Sequence, residues 1–249
     1  MPFIHSPNLP EADVALAAMS FTYPEITDAL QQRNITVLPI KPCENLSLPV
    51  CSHADMLCHP LGDRRIVVAK GEETLKIALE QHGFHTVYSH ASLQPKYPYD
   101  VALNAARIGD QLIANQKTLD SVILEYCRAN TISIVQAKQG YAKCSCVIIR
   151  KNAVITEDPS IASAAVGANM QVLKIQPGFV HLNGYAYGFL GGACGMIGKN
   201  MLAFAGCIEA HPDYVQIKAF CDRQNVRILS LTQNTLTDVG GILPLKIFE

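Results

Sequence analysis

Residues 34–40, Asn34-Ile35-Thr36-Val37-Leu38-Pro39-Ile40, set an Asn directly before a β-rich run, and the arrangement recurs four more times along the chain. Gly83 precedes FHTVYS, Asn130 precedes TISIVQ, Asn169 precedes MQVLKI and Asn225 precedes VRILSL. Asn and Gly tolerate the left-handed conformation that ends a helix and redirects the chain, so each is read as the junction between a helix and a strand. The spacings of about 49, 47, 39 and 56 residues describe five copies of one small supersecondary unit.

Upstream of each junction lies a helical stripe. Ile26, Ala29 and Leu30 form it in unit one; Leu75, Ala78 and Leu79 in unit two; Leu119, Val122, Ile123 and Tyr126 in unit three. Ile161, Ala164 and Ala165 continue the series, as do Tyr214, Ile217 and Phe220. Asp158-Pro159 and His211-Pro212-Asp213 mark helix starts, and Thr118 is expected to cap the third helix. Before each helix except the first stands a hairpin signal, two β-like runs about Gly-Asp or Lys-Asn: DMLCH-PLGD-RRIVVA, VALNAARI-GD-QLIAN, CSCVIIR-KN-AVIT and ACGMIG-KN-MLAFAG. Unit one has only Val14-Ala15-Leu16-Ala17, whereas Asp238–Leu245 is a strand to spare at the C-terminus. The expected fold is therefore α/β, a five-bladed pseudo-fivefold α/β propeller of ββαβ units closed by the C-terminal strand, with residues 1–249 as a single domain.

Composition narrows the function classes. With 49% apolar and 16% charged residues the chain is too hydrophobic to be disordered, and a formal charge of −1 supplies no basic field for nucleic acid. No apolar run approaches the length of a membrane-spanning helix and the N-terminus shows no secretory pattern, so a cytoplasmic protein is expected. Nine cysteines, an odd number, read as reduced thiols rather than a disulfide framework. Neither a Cys-x-x-Cys pair nor a nucleotide-binding glycine motif occurs, so neither metal nor cofactor is expected.

Five such units resemble the pentein fold of the guanidine-modifying enzymes, the arginine deiminase, dimethylarginine hydrolase and amidinotransferase group. More narrowly, Tyr97-Pro98-Tyr99-Asp100 through Asn104, Gln139–Ser145, Gly191-Gly192-Ala193-Cys194-Gly195, His211-Pro212-Asp213-Tyr214 and Asp238–Leu245 are similar to a bacterial family with no assigned activity that is classed under that fold. The resemblance implies an axial pocket lined by the first strand of each unit, and a fold that hosts both enzymes and a non-catalytic ribosome anti-association factor.

Period two puts Cys51, His53, Asp55, Leu57 and His59 on one face of a strand over 51–59. His53-Ala54-Asp55 resembles the His-x-Asp element of the deiminases, which implies proton transfer by His53 and guanidinium binding by Asp55. Aligning the repeats places Asp100 and Asn104, Cys144, a glycine near Gly192, and Asp238 around the same axis. Carboxylates beside a thiol suit a planar cation such as a guanidino or amidine compound. Asp100 and Asp238 read equally well as caps of strand ends, and a free Cys as a small core hydrophobe.

In the family the nucleophile is a Cys in the last strand, beside a His. Here Gly240-Gly241-Ile242-Leu243-Pro244-Leu245 contains neither. Cys144 is then the expected displaced nucleophile, with Lys143 lowering its pKa, and Cys194 the second candidate. The alternative is a non-catalytic pentein that binds a small molecule or a protein through the same pocket. The glycines at 184, 188, 191, 192, 195 and 198, interleaved with Tyr185, Tyr187 and Phe189, are expected to form a long tight loop over the axial mouth.

Overall fold

The computed structural model describes residues 1–249. Strand β1 (Val14–Ser20), helix α1 (Pro24–Gln31) and strand β2 (Thr36–Ile40) form the first unit. The second contains the short helix α2 (Ala54–Leu57), β3 (Cys58–Gly62), β4 (Arg65–Val68), α3 (Glu73–Gln81) and β5 (His85–Tyr88). Then follow β6 (Ala106–Ile108), β7 (Gln111–Ala114), α4 (Ser121–Ala129) and β8 (Ser133–Gln136); β9 (Val147–Arg150), β10 (Ala153–Thr156), α5 (Pro159–Gly167) and β11 (Gln171–Lys174); and β12 (Cys194–Gly198), β13 (Met201–Phe204), α6 (Tyr214–Arg223) and β14 (Arg227–Ser230). The C-terminal β15 (Leu243–Ile247) pairs antiparallel with β1 and supplies the strand that unit one lacks.

Every unit thus holds a three-stranded sheet with one antiparallel and one parallel pair. The parallel pair needs a crossover, and the helix provides it. In the sheets of units two to five the first two strands are nearly all buried and the third has only exposed and half-buried positions. The core is divided among neighbours. One cluster joins units one, two and three; Ala106, Ile108 and Ile113 pack with Val154 and Ile161; Val147 and Ile155 pack with Met196 and Phe204; and Ala17, Met19 and Leu30 of unit one pack with Ala203 of unit five.

The junction reading holds at Asn34, Gly83, Asn169 and Asn225, all with positive φ. In unit three the left-handed residue is Thr131 at φ 56° and not Asn130. Asn130 is occupied otherwise: both its backbone N–H and its Nδ2 donate to Tyr126 O, closing the end of α4, so the reversal falls one residue later. The cap of α4 is Asp120, whose Oδ1 accepts Val122 N–H at 3.0 Å, and not Thr118. All nine cysteines are free thiols. No helix is long and apolar enough to cross a membrane.

Candidate active site

The expected strand over 51–59 is not formed. Ala54-Asp55-Met56-Leu57 closes one helical turn, α2, and β3 begins only at Cys58. Ala, Met and Leu are strong helix formers, and the backbone of Asp55 donates to Gly240 O at 3.1 Å, which anchors the turn against the C-terminal segment. The same correction applies to the other units. Asp100 and Asn104 precede β6, Cys144 lies in the turn before β9, Gly188–Gly192 precede β12, and Asp238 precedes β15. Thus His53, Asp100, Asn104, Cys144 and Asp238 sit on irregular segments outside the strands, Asp55 on the turn α2, and Cys194 on β12.

These segments bring most of the set together. Asn104 is the organiser. Its Nδ2 donates to Cys144 Sγ at 3.0 Å and to Asp55 O at 3.2 Å, while its Oδ1 accepts Lys143 N–H at 2.8 Å and Cys144 N–H at 3.3 Å. The Cys144 thiol donates to Asp55 Oδ2 at 3.1 Å. Asp238 accepts Gly240 N–H on Oδ1 and Phe189 N–H on Oδ2, and its Oδ1 faces His53 Nδ1 at 3.8 Å, beyond hydrogen-bonding range. Thus the cap reading of Asp238 is right as far as its backbone partners go, but the residue also borders the imidazole. Gly192 makes the approach possible, because a Cβ there would collide with the Asp238 carboxylate.

Asp100 is set apart: its Oδ2 accepts the Tyr141 hydroxyl at 2.5 Å, and it reaches the group only through that ring. Lys143 corrects a further expectation. Its Nζ donates to Gly191 O at 3.1 Å, and the neighbouring thiol is not activated by it. Burial, then the charges of Asp55 and Asp238, push Cys144 well above the ordinary thiol range. Burial also raises the Asp55 carboxyl to about 7 against the attraction of Lys143. It raises Asp100 too, and it lowers His53, against Asp238. Cys194, on β12, is buried and raised to about 12 by burial. Cys51, His53, Asp55 and His59 form no metal-ligating group, and His59, lowered to about 4 by burial and then by Arg107, faces a separate water-sized cavity shared with Asp55 and Lys143.

A pocket of about 240 Å³ opens onto this constellation, with His53, Met56, Cys144 and Asp238 among its lining and Tyr141, Tyr185, Tyr187 and Phe189 as aromatic walls. The 182–189 segment supplies much of the wall. Three buried polar atoms around the site lack any partner: His53 Nε2, Asp55 Oδ1 and Asp100 Oδ1. Sequence reasoning missed Glu157, also buried, whose Oε1 accepts Leu190 N–H at 3.0 Å and whose carboxyl burial lifts to about 8. It follows the β10 strand as an apparently ordinary helix-start acid, and only the fold brings it under the 188–192 segment.

This architecture is that of the penteins. The chain is similar to the agmatine deiminase of C. jejuni, at 8% identity over 99% of this chain and 96% of that one, with a TM-score of 0.58. It is similar also to the inosamine-phosphate amidinotransferase StrB1 of Streptomyces griseus, at 10% identity over 90% and 79% of the two chains and a TM-score of 0.57. A third likeness is to DDAH of Pseudomonas aeruginosa, solved as a cysteine-to-serine mutant complexed with citrulline, at 11% identity over 89% and 93% and a TM-score of 0.51. At such identities the likeness establishes the fold. None of the curated proteins compared matches the chain. By sequence it belongs to the Family of unknown function (DUF6873), whose model matches residues 19–243.

Proposed function

We propose that the protein takes a small guanidino or amidine cation into the aromatic-walled pocket and cleaves one of its C–N bonds through Cys144. The observation that carries this reading is the thiol on the pocket lining, 3.1 Å from a buried carboxylate that can take its proton. A cation entering the pocket lowers the pKa of every acid near it, so binding itself favours the ionised forms that burial suppresses in the empty site. As the sulfur bonds to the guanidinium carbon, the thiol proton passes to Asp55. The C–N bond then breaks and that proton leaves with the departing amine or ammonia. The neutral imidazole of His53 has Nε2 free to take a proton from the water that attacks the amidino-thioether, which releases a urea-type product and restores the thiol. An amine in place of water would make the reaction an amidino transfer. Asp238 supplies negative charge at the pocket, Asn104 holds the thiol, and Asp100 acts through Tyr141.

The absence of Cys and His from residues 239–245, and a thiol that burial keeps protonated, favour a second reading in which the pocket binds such a cation without turning it over. One experiment separates the two. Ammonia and urea release are followed with arginine, agmatine and alkylguanidines for the wild type and Cys144→Ala, together with thermal shifts. Turnover lost in Cys144→Ala with the shift retained supports the enzyme. A shift with no turnover in either protein leaves the binder, and no shift from any cation ends both.

A further inference from the structure

The pocket's lining carries a carboxylic acid and no Arg or Lys. Asp238 and His53 are joined there by Cys144 and by carbon-rich side chains, and neither an Arg nor a Lys is among them. The nearest buried cation, Lys143, is turned to Gly191 O and lines the other, water-sized cavity. A ligand carboxylate in this pocket would lose its hydration with no counter-charge to replace it, next to the Asp238 carboxylate. A cation instead meets a lining of four aromatic rings, Tyr141, Tyr185, Tyr187 and Phe189, whose quadrupoles can attract positive charge, together with Asp238. His53, 2% exposed, has an Nε2 without a partner, and with Nδ1 facing Asp238 that atom is placed to accept a ligand N–H. The volume of about 240 Å³ falls below the roughly 300–1,000 Å³ of sites for drug-sized ligands.

Resting on the guanidino reading above, we infer that the specific ligand is a small guanidine or amidine with an apolar alkyl or aryl substituent and no carboxylate, selected by the aromatic walls and by the lack of a basic residue. Amino-acid guanidines such as arginine are excluded by the same features. Tyr185 and Tyr187 become specificity residues: both rings are more than two-fifths exposed at the mouth, and neither is required for the core.

The test is calorimetric titration of the full chain with benzylguanidine, butylguanidine, arginine and guanidinoacetate. Benzylguanidine and butylguanidine are expected to bind at least about tenfold tighter than either carboxylate. Tyr187→Ala should weaken benzylguanidine several-fold. Ala186→Arg, at an exposed wall position, should strengthen guanidinoacetate while weakening benzylguanidine. Equal or tighter binding of arginine or guanidinoacetate by the wild type overturns the selectivity while leaving the guanidino reading in place. Binding of none of the four removes that reading and the inference with it.

Discussion

Asp55 is required to be two things at once: buried at 2% exposure, which favours its protonated form, and close to Lys143 and the Cys144 thiol, which favour the carboxylate. Burial prevails, lifting its pKa from 3.8 to about 7. In the unfolded chain the group ionises near 3.8, whereas the folded protein keeps the proton until about 7, so folding takes up a proton across that window. This contribution to stability is intact below 3.8, falls as pH rises towards 7 and is constant above it. Asp55→Asn should abolish that part of the slope and gain on the order of 1–3 kcal/mol relative to wild type at pH 8. Urea midpoints at pH 5 and 8 check it, and parallel profiles for the two proteins would refute it. Glu157 retains its own slope, ending near 8, in both. Lys143→Met removes the attraction that holds Asp55 down, so the same titration should end at higher pH, read from the midpoints of that variant. His53 and Asp55 were legible in the sequence as a polar pair in an apolar context. Their geometry was not, because a stretch this short carries too little periodicity to tell a strand from a single helical turn.

At the scale of elements, the 188–192 segment is tied from three sides by buried groups. Asp238 accepts Phe189 N–H, Glu157 accepts Leu190 N–H, and Lys143 donates to Gly191 O. A Cβ on Gly191 would lie 2.6 Å from the carbonyl oxygens of Lys143, Cys144 and Cys146, and one on Gly192 would collide with Asp238. Only glycine lets the backbone pass so near. Gly192→Ala should therefore cost about 1–3 kcal/mol of stability and displace Asp238 from His53. The expected result is a lowered Tm with the thermal shift by butylguanidine lost, whereas an unchanged shift would separate the segment from the pocket. The glycine cluster was readable as a tight loop, and its aromatic residues were visible. That those rings wall the pocket was not, since an irregular loop has no period from which side-chain direction follows. The repeated helix-to-strand junctions were more legible because each depends on one residue's backbone conformation, and the single displacement, to Thr131, arose where Asn130 bonds back to its own helix.

Across the whole molecule, the repeat could be counted from the sequence because turn residues and stripes are local, and the mismatch between a unit missing a strand and a tail with one to spare named the pairing of β1 with β15. That strand starts five residues later than the Asp238 its sequence pattern suggests, because the residues from Asp238 to Ile242 bind backbone and site instead of joining the sheet. All seven residues of β1 are buried, and β15 covers one of its edges while Leu243 and Leu245 enter the cluster shared by units one, two and three. Deleting residues 243–249 would expose that edge as a row of unpaired backbone groups on an apolar strand, a template for association. It would also remove the anchor that follows the Asp238–Gly241 segment, releasing the carboxylate that faces His53 and the Gly240 carbonyl that holds Asp55. The truncated chain should therefore aggregate or unfold, and a synthetic peptide of residues 243–249 added during refolding should restore an unaggregated one-to-one complex that again shifts its Tm with butylguanidine. Size-exclusion chromatography and thermal shift read both outcomes. A truncated chain that stays monomeric with an unchanged Tm would show that the five units hold together without the tail, and that the site does not depend on the pairing of the two ends.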